Sequence, residues 1–152
     1  MRRLFVAGCV VLSACAQTPA QTSFPVAPEF INLVDPWPYP FSSAVRAGNL
    51  LFISGQIGTR IENGAPVLVT GGMDAEARQT LDNIRAIVEK AGTSMDRVVK
   101  CSVMLADMSE WPRFNQIYAT YFPGPKPARA AWGASGLALN ARVEVDCIAM
   151  MR

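Results

Sequence analysis

The sequence predicts an α+β domain, a mixed β-sheet with two helices packed on one of its faces. Three observations predict it. Ala77, Leu81, Ile84, Ile87 or Val88, and Ala91 recur at three- and four-residue spacing. Asp82, Arg85, Glu89 and Lys90 lie elsewhere around the same turns, so the stretch from Met73 is an amphipathic helix of about five turns. Runs of two-residue alternation stand on both sides of it. The resulting order is strand, strand, helix, strand, helix, strand, strand. Two helices in about 110 residues cover one sheet face, and an oligomer is the economical cover for the other.

Each element has a local reason. Residues 42–45 and 50–55 are short strand-like runs joined through Gly48-Asn49, a hairpin turn signal. Ser54-Gly55-Gln56 closes the second run, where Gly55 permits an unusual backbone angle or a close approach. Asn63-Gly64 marks another turn, and residues 66–69 a short edge segment. Gly92 stands where the long helix wants a left-handed cap. Val99, Cys101, Val103 and Leu105 then alternate with Lys100, Ser102 and Met104 as a strand. A second helix covers residues 109–121, with Pro112 tolerated near its start. Its apolar stripe of Trp111, Phe114, Ile117, Tyr118 and Tyr121 reads as core packing, and Phe122-Pro123-Gly124-Pro125 ends it. The last strand, Val143-Glu144-Val145-Asp146-Cys147, carries its acids on one face and apolar residues on the other.

The amino terminus reads as an address. Residues 1–14 form a lipoprotein signal peptide in this reading: Met1-Arg2-Arg3 is basic, and Leu4 to Leu12 is too short for the about 20 residues of a membrane span. Leu12-Ser13-Ala14-Cys15 resembles the bacterial lipobox, in which cleavage precedes the cysteine, so Cys15 is the expected lipidation site. An ordinary secretory peptide with a chance cysteine is the alternative. Ala16, where an Asp would signal inner-membrane retention, tilts the expectation to the periplasmic side of the outer membrane. Residues 15–35 follow as the lipidated cysteine and a Pro-rich tether, six of the eleven prolines falling in residues 16–40. The domain itself takes residues 36–152. Phe30 to Val34 and Trp37 to Pro40 hold too many large apolar groups for a pure linker and are expected to pack onto it.

Charge and composition exclude several function classes. Without Arg2 and Arg3 the chain has 12 basic and 12 acidic side chains, which speaks against a general nucleic-acid footprint. It contains no histidine, which removes Ser-His-Asp and Cys-His nucleophiles and His-ligated zinc together. Cys9 leaves with the leader and Cys15 takes the lipid. Cys101 and Cys147 sit in no CxxC pattern, so no metal or redox motif is indicated. Buried small hydrophobes are the default reading for both, although an oxidising compartment permits a disulfide between them.

The chemistry then falls to Arg129 and Glu144. Arginine holds a carboxylate through two parallel hydrogen bonds, and a glutamate orients water or moves a proton. The Gly-rich link from Gly133 to Asn140 lets the two segments lie side by side, so Arg129 is expected near Glu144. A bland ion pair at a strand edge has the same pattern.

Several segments, in order and spacing, resemble one family. They are Pro40 to Val45, Gly48-Asn49, Ser54-Gly55-Gln56-Ile57, Gln79-Thr80-Leu81-Asp82-Asn83-Ile84 and Asp96 to Lys100. Phe114-Asn115-Gln116-Ile117-Tyr118, Pro127-Ala128-Arg129 and Val143 to Asp146 complete the set. Across residues 36–151 the chain resembles the RidA (YjgF) family. The resemblance implies a chorismate-mutase-like fold, a homotrimer with clefts between subunits, and hydrolysis of reactive enamines and imines, of the 2-aminoacrylate or 2-iminopropionate type, to keto acids and ammonia. By the same resemblance Arg129 binds the substrate carboxylate and Glu144 positions the attacking water. Ser54, Gly55 and the backbone of Ala131 line the ligand, and Asn115 stands at a recurrent position. Phe41 replaces a tyrosine of deaminating members, which puts substrate preference in question. The usual source of 2-aminoacrylate is cytosolic, unlike the exported address read here. The alternative function is a non-catalytic trimeric module that binds small carboxylates on the cell envelope. A surface interaction or chaperone-like role is a third, and nuclease activity, claimed for relatives, fits the neutral charge least.

Overall fold

The computed structural model describes residues 27–34 and 39–152, so the leader, Cys15 and most of the tether lie outside the described residues. Among the described residues ten α-helices and strands follow in chain order. They are β1 (Glu29–Ile31), β2 (Ala44–Ala47), β3 (Leu50–Ile57), β4 (Thr59–Glu62), β5 (Ala65–Leu68) and α1 (Gly72–Lys90), then β6 (Val98–Leu105), α2 (Trp111–Tyr121), β7 (Ala128–Gly133) and β8 (Val143–Met150). Six strands form one mixed sheet in the order β1-β2-β3-β8-β6-β7, while β4 and β5 form a separate hairpin. Among the described strands only β6 and β7 are paired in parallel. Of the two stretches expected to pack onto the domain, Phe30 to Val34 does so through β1, an edge strand paired with β2, whereas Trp37 and Pro38 of the other lie outside the described residues.

Turn chemistry sets both hairpins. Gly48 takes a positive φ of 60° between β2 and β3, and Asn63 and Gly64 both do so (51° and 79°) between β4 and β5. A two-residue loop with both residues at positive φ is the I′ turn that suits strand twist, and Asn-Gly is its favoured sequence. The edge segment expected at residues 66–69 is thus half of a hairpin set off from the main sheet.

Helix α1 buries Ala77, Leu81, Ile84, Ile87 and Val88 completely against the sheet. Its end is capped as its sequence predicts: Gly92 has φ 82°, and the Thr93 amide reaches back to the Val88 carbonyl at 2.9 Å. Polar clamps fix its position along the sheet. The Asn83 amide donates to the carbonyls of Ile57 (3.1 Å) and Thr59 (2.9 Å), and Gln79 donates to Asn83 at 2.8 Å. Gly58 lets that crossing happen, because a Cβ there would lie 2.6 Å from the Glu76 Cα. Helix α2 begins two residues later than the sequence suggests, after a short 3₁₀ turn at Met108–Glu110, and buries Phe114, Ile117 and Tyr118.

Both helices cover one sheet face, where Cys101, Val103, Leu105, Val143, Val145 and Cys147 are buried. Val99, expected among the core residues of its strand, is 41% exposed. A register shift between Val98 and Lys100 gives Val98 the core position and turns Val99 outward. Cys101 and Cys147 are direct register partners on β6 and β8, and a disulfide joins them. The default reading of two separate buried thiols is therefore corrected. The opposite face leaves Leu50, Phe52, Trp132 and Met150 between 37% and 46% exposed.

Candidate functional site

Glu144 projects from β8 onto the face away from the helices, because its strand neighbours Val143 and Val145 are buried. Strand β3 meets it with a bulge. Ile53 pairs with Cys147 and Gln56 with Val145, so Ser54 and Gly55 together oppose Asp146. The Glu144 carboxylate lies directly over Gly55, where an added Cβ would come within 2.0 Å of its Oε1. Close approach, not an unusual φ, is therefore what Gly55 supplies. Ser54 is tied to its own hairpin: its hydroxyl donates to the Ser42 carbonyl at 2.7 Å, and its amide to the Ser43 carbonyl at 3.0 Å. Gln56 turns its amide back onto the carbonyls of Ser54 (2.9 Å) and Gly55 (3.1 Å) and so braces the bulge.

A cleft of about 660 Å³ opens here, lined by Phe41, Gly55, Gln56, Ile61, Leu139 and Glu144 among others. Phe41 stacks on Tyr39 with ring centres 5.4 Å apart. Leu139, in a left-handed conformation (φ 57°), brings a large apolar side chain to the rim, and nothing in the sequence pattern announces it. Partial burial raises the pKa of Glu144 above the ordinary carboxylate value, and the nearby charge of Asp146 adds to the effect.

Arg129 lies elsewhere. Its register partner across β6 and β8 is the core-facing Cys101–Cys147 pair, so it projects to the helix side. There its Nη2 donates to Asn115 Oδ1 at 2.6 Å, and its guanidinium carbon lies 4.7 Å from the Tyr118 ring centre and 5.2 Å from that of Trp111. Among the described residues no carboxylate lies within 4.0 Å of it, so a strand-edge ion pair is not what holds it. Ala131, two residues along on the same side of β7, packs against the core. Trp111 and Tyr118 belong to the core stripe that the sequence predicts and also face the Arg129 guanidinium. The available signal was spacing, since Trp111, Asn115 and Tyr118 recur at i, i+4 and i+7 on one helix face.

Arg129 and Glu144 are not neighbours within one chain, contrary to expectation. β6 lies between their strands, and β8 instead fills the place between β3 and β6. The parallel pairing of β6 and β7 through α2 carries β7 to the outer edge, and the Gly-rich link then leads the chain back across. Two strand spacings and three residues of rise separate the two backbone positions by roughly 14 Å, and their side chains leave opposite sheet faces. The proposed residues thus fall into two groups: Phe41, Gly55 and Glu144 at the cleft, and Asn115, Arg129 and Ala131 at the outer edge. Among the described residues no cluster of metal-ligating side chains exists.

A mixed sheet backed by two helices, with an acid in a cleft and an arginine that forms no ion pair among the described residues, defines the α+β class to which the chain belongs. Comparison with known proteins narrows this class. The model of the family described as Endoribonuclease L-PSP matches residues 36–151. The chain is 43% identical to a 2-iminobutanoate/2-iminopropanoate deaminase of Mus musculus, over 73% of this chain and 81% of that protein. It is 39% identical to Reactive Intermediate Deaminase A, chloroplastic, of Arabidopsis thaliana, over 74% of this chain and 59% of that one. Yeast Mmf1 superposes with a TM-score of 0.76 at 32% identity, covering 83% of this chain and 100% of that structure. E. coli TdcF, solved with bound serine, does so at 0.69 and 25% identity, covering 81% and 94%. The chain belongs to this family, the RidA family that its motifs resemble.

Proposed function

We propose that the protein hydrolyses reactive 2-imino acids and their enamine tautomers to 2-keto acids and ammonia. Water adds to the imine carbon, the C–N bond breaks, and ammonia leaves with the protons the water supplied. An imine carbon beside a carboxylate is already electrophilic, so the site has to hold the carboxylate, place water and move protons. Arg129 holds the carboxylate. Glu144, with its proton affinity raised, takes a proton from the attacking water and returns it to the leaving nitrogen. The observation that carries this reading is the arginine without a counter-ion, in the same chain as a half-buried glutamate whose pKa is raised. The deaminase names of the relatives and the serine bound by TdcF point the same way.

In this proposal the working form is a homotrimer, in which Arg129, Asn115 and Ala131 of one subunit face Phe41, Ser54, Gly55 and Glu144 of the next. The placement of the two groups on opposite faces supports it, as does the apolar open face around Phe52 and Trp132. We also propose export and lipid anchoring at Cys15. The Cys101–Cys147 disulfide supports an oxidising compartment independently of the leader sequence. Among the described residues no helix is long and apolar enough to cross a membrane.

The test generates imines in situ with an amino-acid oxidase and follows keto-acid release. Acceleration by the protein, reduced at least about 100-fold in both Arg129→Ala and Glu144→Ala, is the expected result. A protein that binds carboxylates and accelerates no imine is instead the non-catalytic module.

A further inference from the structure

We infer that Trp111 and Tyr118 are positioning residues for Arg129, their ring faces holding the guanidinium in place of a counter-ion so that its charge is left for a ligand carboxylate. The inference rests on the reading of Arg129 as the carboxylate anchor. The two rings and the Asn115 amide oxygen, at 5.2, 4.7 and 2.6 Å, are presented from one face of α2. What each partner offers is different. Asn115 accepts one N–H and fixes the rotation of the fork. A ring face attracts the cation through its quadrupole yet offers no lone pair to the in-plane N–H groups. An acid in the same place would take those donors two at a time, and an incoming carboxylate would then have to displace it.

The acids that do form ion pairs are engaged elsewhere: Glu29 with Arg46, Glu62 with Arg60, Asp74 with Arg113, Asp82 with Arg85, and Glu110 with Arg142. Tyr118 adds no negative charge of its own. Its hydroxyl is buried without a hydrogen-bond partner, and burial keeps the phenol neutral, with its pKa pushed up to about 12. An orphaned hydroxyl is a cost to folding. It is tolerated here by a side chain whose contact with Arg129 is made by its ring.

The test measures pyruvate binding to the full protein by calorimetry, with steady-state turnover alongside. Arg129→Ala is expected to abolish binding. Trp111→Leu is expected to weaken it about 5- to 10-fold and to raise KM by the same factor with kcat within about 2-fold. Trp111→Phe, which keeps a ring face over the cation, retains most of the affinity. Fluorinated tryptophans placed at position 111 keep its shape but drain its π face, so affinity should fall stepwise with each added fluorine. That series needs no variant of altered shape to fold, and a packing role alone would not move it. Undiminished affinity across the fluorinated series overturns the inference even where Arg129→Ala abolishes binding. Pyruvate binding that survives Arg129→Ala overturns the anchor reading itself.

Discussion

At Gly55 the space a methyl group needs is already taken by the Glu144 carboxylate, so Gly55→Ala must push that carboxylate aside. Turnover is expected to fall at least about 10-fold, with a smaller effect on melting temperature, because the displaced group is half exposed and free to swing outward. Glu144 itself trades stability for chemistry. Its pKa is raised in the folded state, so the fold holds this proton more tightly than the unfolded chain does. The stability contributed is full below the unfolded value near 4.5 and is lost as pH rises through the folded pKa. Glutamine stays neutral throughout. Denaturant melts of Glu144→Gln should therefore match the native protein at pH 4 and show the variant more stable at pH 8, while its deaminase activity is lost. A native protein more stable than the variant at pH 8 would contradict the assigned environment.

Among the elements, β6 carries the greatest structural weight. It joins β8, with the cleft acid, to β7, with the arginine, and the Cys101–Cys147 disulfide crosses between the first two. Closing a loop with a sequence separation of 46 residues is worth about 4 kcal/mol on chain-entropy grounds, less any strain in the native pairing. The Cys101→Ala, Cys147→Ala double variant should lose about 2–4 kcal/mol of stability in denaturant melts. The native protein should show no free thiol at these positions even when unfolded, until a reductant is added, and the folded protein should resist that reductant because both residues are essentially unexposed. The alternation of β6 and β8 was legible because one face of each strand is buried. The pairing of their cysteines was not, because alternation reports which face a residue takes and says nothing of which strand lies opposite.

For the whole molecule, the proposed trimer makes a quantitative prediction. If each site draws Arg129 from one subunit and Glu144 from the next, Arg129→Ala and Glu144→Ala chains are each inactive alone. After co-refolding in equal amounts, three-quarters of the trimers contain both kinds, and each of those has one intact site of three. Activity should recover to about a quarter of the native value, and light scattering should give three copies. No recovery in mixed trimers would mean that both residues act from the same chain, which their placement on opposite faces makes geometrically demanding.

The helices, the turns and the faces of the strands are legible in the sequence alone. These follow from local chemistry: the 3.6-residue and 2-residue periods, Asn-Gly and Gly-Asn turns, and Gly92 at its cap. The sequence also determined the family, through Arg129, Glu144 and their surrounding motifs. Strand order, and with it the distance from Arg129 to Glu144, was decided only by the tertiary structure, because β7 and β8 are consecutive in the chain but β6 competes successfully for the edge of each. The same holds for the aromatic cradle of Arg129. An apolar helix stripe looks alike whether it meets a core or a cation, until the strand it packs on is known.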